Sequence, residues 1–380
     1  MRKIITRLML LLAIVIPSVT YAQWTNEQVI YTTNLYSTLQ TSPKAVCANF
    51  AAQQVIDCVY PNYATNIGQT SIFEIQSIDG GVSWGSPSQV SSDYSYDPFI
   101  EYDSNRQRFN LIYTQNTGGK NNNIVIRYKS SPSGAWSSAT TIALGSSSNE
   151  YWIPSVLTLL DGNMNAYFTV NGPESASGVG SGRIMVSRST DGGNTWTAPS
   201  TITSTCDAEY ARAIENSNGS ILLVYSRYVA NMTSSPCQDG TQSNGYAYTN
   251  IHQIWSSNDG QTWTGESTLY HNPNGSAMHP YVGAETTHRQ SSCASCQWDV
   301  LWEGQTSSGS IAAFEQQSTN QGTSWGSPQQ ISQTTWSTVV QVDPGAIIGC
   351  RGFFTFYTDT FPNQNIYDRR YDWSSTCSIN

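Results

Sequence analysis

The sequence is short of charge, and its positive charge is nowhere concentrated. Of 380 residues, 17 are Lys or Arg and 26 are Asp or Glu, so charged side chains make up 11% and the formal net charge is −9. An acidic chain without a basic block is a poor match for nucleic acid or an anionic membrane surface, because both are held by Lys and Arg. Beyond residues 8–16 no apolar run approaches the ~18 residues that cross a bilayer, so no membrane insertion is expected. The four histidines, His252, His271, His279 and His288, have no paired ligand spacing. Three of them are expected on loops, and no metal site or other cofactor is implied. No long segment repeats its apolar residues at helical spacing.

What is present begins with residues 1–22. They carry a basic start (Arg2, Lys3, Arg7), an apolar run, Pro17 and small residues up to Ala22. That is the layout of a secretory signal peptide cleaved after Ala22, which predicts a secreted or periplasmic protein. The remaining 358 residues hold 14 basic and 26 acidic side chains, a balance of −12. With 38% apolar and 12% aromatic residues the chain can bury a core. Its length suggests two or three domains unless the sequence is repetitive.

It is repetitive. An octapeptide of the form Ser-x-Asp/Asn-x-Gly-x-Thr/Ser-Trp occurs four times, built on Ser77, Asp79, Gly81 and Trp84, on Ser189, Asp191, Gly193 and Trp196, on Ser256, Asn258, Gly260 and Trp263, and on Ser318, Asn320, Gly322 and Trp325. A degenerate copy at Ser130, Gly134 and Trp136 is one residue shorter and has lost the acidic position. Each Trp is followed six residues later by a branched apolar residue (Val90, Ile142, Ile202, Leu269, Ile331), and Trp24 with Ile30 repeats that spacing without a preceding octapeptide. The six tryptophans stand 60, 52, 60, 67 and 62 residues apart. In the unit at residues 99–144, four β-rich runs alternate with Gly, Asn and Ser turns. Four short strands repeated at this period describe a propeller blade.

The expected fold is therefore an all-β six-bladed propeller occupying residues 23–380 as one domain. Its last unit has material for three strands, near residues 339–342, 353–357 and 366–371. Residues 24–31 would supply the fourth, so the two chain ends would close the ring and cover an otherwise unpaired strand edge. The octapeptide resembles the Asp box of the sialidase superfamily, whose members are six-bladed propellers. In that family the box is a turn on the face away from the active site, and its chemistry fits a structural role: Asp or Asn can accept turn N–H groups, Gly takes positive φ and Trp packs between blades.

The eight cysteines behind a signal peptide are expected to be oxidised. Blade topology favours nearest-neighbour pairs: Cys47 with Cys58, Cys206 with Cys237, Cys293 with Cys296 and Cys350 with Cys377.

In a propeller the first strand of each blade lines the central channel, and ligands bind at the mouth where first strands begin and second strands end. Applied to each unit, that rule collects Lys44, Tyr60 and Tyr63; Tyr96, Asp97 and Gln115; Glu150, Tyr151, Trp152 and Glu174; Glu209, Tyr210, Arg212, Arg227 and Tyr228; His279, Tyr281, Trp302 and Glu303; and Tyr357. Aromatic rings stack on sugars, and glycoside hydrolysis needs one protonated and one ionised carboxyl.

Within the resemblance, Glu209 looks like the glutamate that assists a tyrosine nucleophile in sialidases, and Arg227 like the second of three arginines that grip the sialic acid carboxylate. The first arginine has no counterpart, since no arginine lies between Gln23 and Asn105 and the matching position reads Ser42-Pro43-Lys44. Arg289 is a doubtful third. An acidic, aromatic mouth without the triad is more similar to the superfamily's exo-acting arabinanases, which use two glutamates. The implied protein is a monomeric, secreted, retaining glycoside hydrolase acting on a neutral sugar of a poly- or oligosaccharide. Glu209 would be the nucleophile and Glu174 or Glu150 the acid/base, with Tyr357 as supporting phenol. Asp97, Trp152, Tyr210, Arg227, His279 and Glu303 would bind substrate, Arg227 also balancing the nucleophile's charge. Two other readings fit the same residues: an exo-sialidase, and a non-catalytic propeller that binds glycans or proteins.

Overall fold

Short runs rich in Val, Ile, Tyr, Phe and Thr, cut by Gly, Asn, Asp and Ser, favour strands joined by tight turns. The computed structural model describes residues 28–32, 43–50, 53–119, 121–170, 182–203, 208–229, 248–284, 298–332, 346–348, 352–358 and 365–371. They form 24 strands in six four-stranded antiparallel sheets, without a helix among the described residues.

Strand β1 (Gln28–Thr32) stands apart from the next strands in sequence. Blade one is β2 (Lys44–Phe50), β3 (Gln53–Ala64), β4 (Gln69–Ser77) and β5 (Ser88–Gln89). Blade two is β6 (Ser95–Asp103), β7 (Arg108–Asn116), β8 (Asn122–Lys129) and β9 (Thr140–Ala143). Blade three is β10 (Tyr151–Thr158), β11 (Met164–Val170), β12 (Arg183–Ser189) and β13 (Ser200–Thr201). Blade four is β14 (Ala208–Glu215), β15 (Ile221–Val229), β16 (Tyr248–Ser256) and β17 (Thr264–Tyr270). Blade five is β18 (Ala277–Ala284), β19 (Trp298–Gln305), β20 (Ile311–Ser318) and β21 (Gln329–Gln330). The terminal sheet joins β22 (Ala346–Ile348), β23 (Gly352–Thr358) and β24 (Asn365–Tyr371) to β1, which pairs with β24 from Gln28 opposite Asp368 to Thr32 opposite Asn365. Residues 339–342, expected to form the first strand of this unit, lie outside the described residues, and its described inner strand is Ala346–Ile348.

Inner strands β2, β6, β10, β14 and β18 pack each against the next, the arrangement of an all-β propeller. A second strand lies between neighbouring blades on both faces, so it cannot alternate polar with apolar residues. All seven residues of β11, Met-Asn-Ala-Tyr-Phe-Thr-Val, are buried, as are the first seven of β19. The core consists of layers between blades. Leu157, Tyr167, Ile184 and Val186 of blade three meet Ala208, Leu223, Tyr225 and Ile254 of blade four. Each such aliphatic side chain contributes about 1.5–3 kcal/mol by burial. Truncating Leu223 to Ala would cost about 2–5 kcal/mol.

The octapeptides form the turns from third to fourth strands, at the end of the propeller opposite the starts of the inner strands. Asp191 Oδ1 accepts the Thr195 N–H at 2.9 Å, Oδ2 accepts the Thr195 hydroxyl at 2.6 Å, and Ser189 Oγ accepts the Gly193 N–H at 2.7 Å. Asp79 repeats the pattern, and Asn258 and Asn320 replace the carboxylate with an amide oxygen that accepts the same N–H at 2.9 Å. Gly193 has φ of +88° and its carbonyl accepts the Tyr128 hydroxyl of blade two, so a β-carbon there would be strained and would strike that phenol. Trp196, Trp263 and Trp325 pack against the interblade layers.

Blade two, whose octapeptide lost its acid, is fastened differently. Lys129 Nζ lies 2.5 Å from Asp57 Oδ2 and 2.6 Å from Glu74 Oε2 of blade one, and Trp136 Nε1 donates to the same Glu74 oxygen.

Of the eight cysteines, only the Cys58 side chain is among the described ones. It is buried on β3, opposite Ala45, while the Cys47 backbone stands opposite Ile56. The expected partners in the other three pairs lie outside the described residues or their described side chains.

Candidate active site

A shared irregularity builds the mouth. In blades two to five the pairing of inner and second strands slips by one residue, between Tyr96 and Phe99, Trp152 and Ser155, Glu209 and Arg212, and Met278 and Tyr281. Pro98, Pro154 and Pro280 sit in three of these slips and Ala211 in the fourth. A proline has no N–H to give the ladder, so the strand bulges and the residue before it is re-aimed. Those residues, Asp97, Ile153, Tyr210 and His279, have φ of 50°, 53°, 58° and 53°. Left-handed backbone at a non-glycine residue costs on the order of 1 kcal/mol or more, and such strain gathers at functional sites.

The residues after the bulge form the floor. The Arg212 guanidinium lies 5.0 Å over the Phe99 ring, Phe99 is 6.4 Å from the Tyr281 ring, and Ser155 Oγ and Arg212 Nη1 both donate to the Ala211 carbonyl at 2.7 and 2.8 Å. Lys44 follows Pro43 as Phe99 follows Pro98, and it too is buried. Sequence reading placed Lys44 and Arg212 at the mouth. Arg212 follows the bulge, and both are buried, with 2% and 3% of their surface exposed, as Glu209 is at 2%. Burial, then the nearby Arg212 charge, holds the Lys44 ammonium well below the ordinary lysine range, while Asp97 pulls it upward. Burial brings Arg212 down to about 10, opposed by Tyr281 and Asp97.

Above the floor, two groups of side chains gather. At the junction of blades two and three, Asp97 Oδ2 accepts the Ile153 N–H at 3.3 Å, the Trp152 and Tyr94 rings each lie 5.5 Å from Tyr96, and the Tyr96 hydroxyl donates to Asn122 Oδ1 at 2.8 Å. Burial pushes the Tyr96 phenol upward, and the Asp97 and Glu150 charges add to it. Glu150 itself is 5% exposed. At the junction of blades four and five, Tyr210 stands edge-on to His279 at 4.0 Å between centroids, and His279 Nδ1 lies 2.9 Å from Glu303 Oε1. The His279 N–H donates to Ser226 Oγ at 3.0 Å, and Ser226 is the strand partner of Glu209, which is 2% exposed.

Other candidates sit elsewhere. Arg227 was expected to balance Glu209, but its Nη1 is 2.9 Å from Glu266 Oε1. The register explains this: Arg227 stands opposite Ala208 and Glu209 opposite Ser226, so the two side chains start from alternate faces of the sheet. Arg227 belongs to a cluster with Tyr225, His252 and Glu266, in which a bond from His252, then Tyr225 and the Arg227 charge, draws Glu266 down to about 2. The sequence offered no signal for Glu266, which lies in a strand of Thr and Ser. His252 and His279, which do not fit the expectation of loop histidines, are in β16 and β18. Tyr60, Tyr151 and Trp302, collected as mouth aromatics, are core residues packed between blades. Glu174 lies outside the described residues, and Tyr357 is on β23 opposite Tyr367 with its side chain outside them. Among the described residues no group of His, Cys, Asp and Glu could hold a metal ion, and no helix is long and apolar enough to cross a membrane. One signal could have located three of these bulges in advance: the recurrent proline, at Pro98, Pro154 and Pro280.

Fold and site together define an all-β propeller with a mouth of buried carboxylates and aromatics. Its fold is that of the sialidase-like propellers. It superposes on a protein of unknown function from Dyadobacter fermentans (TM-score 0.65, 11% identity, 93% of this chain and 100% of that one). An α-L-arabinofuranosidase of Fusarium graminearum gives 0.64 at 11% identity, over 92% and 98% of the two chains. A Hadza microbial sialidase gives 0.59 at 13%, over 88% of this chain and 66% of that one. The arabinofuranosidase is thus matched more completely than the sialidase, and identities this low establish the fold alone. The sequence matches no protein-family model and no curated protein.

Proposed function

We propose that the protein is a secreted glycoside hydrolase that cleaves a neutral sugar from a poly- or oligosaccharide at the propeller mouth. The observation that carries this reading is the bulge repeated in four consecutive blades. A scaffold that served only as a platform would have no need to hold four non-glycine residues in left-handed conformations at one level. The bulges re-aim Asp97, Tyr210 and His279, and Glu209 directly precedes Tyr210 and pairs with Ser226, which accepts the His279 N–H.

In this reading Glu209 attacks the anomeric carbon. As that bond forms, the glycosidic C–O bond breaks, and an acid on another blade, Glu150 or Glu174, gives its proton to the leaving oxygen. The same residue then deprotonates the water that releases the sugar from Glu209. Asp97, Trp152, Tyr210, His279 and Glu303 line the bound sugar, and Tyr357 supplies a phenol. The neutral substrate is supported by the cations. Lys44 is buried where its charge is disfavoured and Arg227 is engaged by Glu266, so neither offers a free cation to a substrate carboxylate in the mouth.

The signal peptide at residues 1–22 and a single domain over residues 23–380 belong to the same reading. So does ring closure: the terminal sheet would be a sixth blade, supported by the β1–β24 pairing and by contacts of β22 with both β2 and β18.

The test is hydrolysis of a panel of aryl glycosides, including an α-L-arabinofuranoside and a fluorogenic sialoside, by the parent and by Glu209→Gln. Release from a neutral glycoside, lost by several orders of magnitude in the variant, is expected. Release from the sialoside alone, or full activity in Glu209→Gln, would overturn the reading.

A further inference from the structure

We propose that a cleft on the flank of blade three is a second sugar subsite, which holds a residue of the same glycan chain whose end occupies the mouth. The proposal rests on the mouth being a carbohydrate site. The cleft has a volume of about 360 Å³ and is lined by Asn149, Tyr151, Val170, Arg183, Met185 and Thr201, among others. That volume is at the small end of the range for small-molecule sites, about 300–1,000 Å³.

Its place in the fold points to the mouth. Tyr151 begins β10, Val170 ends β11 and Arg183 begins β12, all at the end of the blade opposite its octapeptide turn. Asn149 and Tyr151 flank Glu150, and Trp152 follows directly. The cleft therefore shares an end of β10 with Glu150 and Trp152.

Its lining has the two-sided chemistry of a sugar. Partly buried Met185 and the small exposed edges of core residues Tyr151 and Val170, 8% and 7% exposed, give the cleft an apolar base, and the Tyr151 ring is fixed by an edge contact with Phe168 at 5.2 Å. Asn149, Arg183 and Thr201 are exposed around it and bring donors and acceptors for hydroxyls. Arg183 is the distinctive member. Arg106, Arg108 and Arg127 are each committed to protein oxygens and Arg227 to Glu266, while Arg188, on the same strand as Arg183 and without a partner at Nη1, does not line the cleft. The Arg183 guanidinium makes no side-chain hydrogen bond or ion pair among the described residues, and its planar fork can donate to two adjacent hydroxyl oxygens.

The experiment compares the parent with Arg183→Ala and with Thr201→Trp, which fills the cleft from an exposed position. Each is assayed on an oligosaccharide length series and on the matching aryl monoglycoside. The expected result is a KM raised about tenfold for the longer oligosaccharides, the effect of one charged hydrogen bond, with a much smaller change on the aryl glycoside. Equal KM values for parent and both variants at every length would overturn the subsite. Binding is read separately by electrophoresis through gels containing the polysaccharide, using Glu209→Gln with and without Arg183→Ala. Retardation that Arg183→Ala relieves, in a protein that hydrolyses nothing, would keep the subsite and sink the hydrolase. Equal retardation of the pair, or no retardation by any polysaccharide of the panel, would sink the subsite.

Discussion

Lys129 of blade two sets its ammonium 2.5 Å from the Asp57 carboxylate of blade one, with both side chains wholly buried. This pair, completed by Glu74, lies where the degenerate octapeptide has lost its acid. Removing one partner of a buried pair leaves an uncompensated charge and costs about 3–5 kcal/mol, so Lys129→Met should lower the unfolding free energy read from urea titration by that order. Burial raises the Asp57 carboxyl to about 6, against the pull of Lys129. Between its unfolded value near 4 and about 6, the folded state therefore keeps a proton that the unfolded chain has lost. Stability from this group should fall as pH rises through that window. Urea titrations across it should show the slope in the parent and a flatter one in Asp57→Asn.

The octapeptide carboxylates carry the opposite sign. Bonds from Thr195 to Asp191, and from Ser83 to Asp79, draw both acids down to about 2. Their contribution is present above the unfolded carboxyl value and is lost as pH falls toward 2. Because Asn258 and Asn320 accept the same N–H with an amide oxygen, Asp191→Asn should melt close to the parent at neutral pH. Asp191→Ala, which loses both acceptors, should melt lower. If the proposed glycosidase activity is found, it should be unchanged in the folded variants, since the turn is at the far end of the blade. A drop in turnover at full folding would contradict its structural role.

The His279–Glu303 pair makes a test within the mouth. Glu303→Gln keeps the volume of a 1% exposed side chain and removes its charge. If the pair serves the bound sugar, kcat/KM should fall at least about tenfold, or 1.4 kcal/mol, while the melting temperature moves little. A loss of stability with unchanged kcat/KM in the surviving folded enzyme would mark the pair as packing only.

The sequence revealed the blades more clearly than the mouth, and the reason is physical. Ser189, Asp191, Gly193 and Trp196 make contacts within one turn, so their spacing alone defines it. The strands of blade two match residues 99–102, 109–113, 124–128 and 141–144 to within a few positions for the same reason: pairing is local and turn residues bound it. Depth is not local. Arg212 looks like a rim charge until the bulge after Tyr210 shows which residue of the inner strand faces up, and Lys44 until the packing around it shows that it is buried. Arg227 looks like a partner for Glu209 until the β14–β15 register puts them on alternate faces. Glu266 acquires its role only when β15, β16 and β17 bring Tyr225, Arg227 and His252 to it. The recurrent proline was visible throughout, but its meaning depends on a strand partner that it deprives of an N–H.

Lys44 supplies the sharpest test of whether the channel floor is scaffold or ligand site. A lysine whose folded pKa is depressed sheds its proton before the unfolded chain does. Stability from that group therefore rises as pH climbs toward the unfolded value of about 10.4. Burial is the main cause of the depression, with the Arg212 charge adding to it. Lys44→Met keeps the length of the side chain, removes the desolvated amine and leaves the Arg212 and Asp97 charges facing one another. The variant should be at least as stable as the parent at neutral pH, and its stability should rise less as pH climbs toward the unfolded lysine value of about 10.4. If the proposed hydrolysis is found, KM on the neutral glycoside should not change, because a neutral sugar needs no cation there. A large rise in KM without loss of folding would mean that Lys44 reaches the substrate, and the neutral-sugar reading would have to give way to one in which the channel binds an anion.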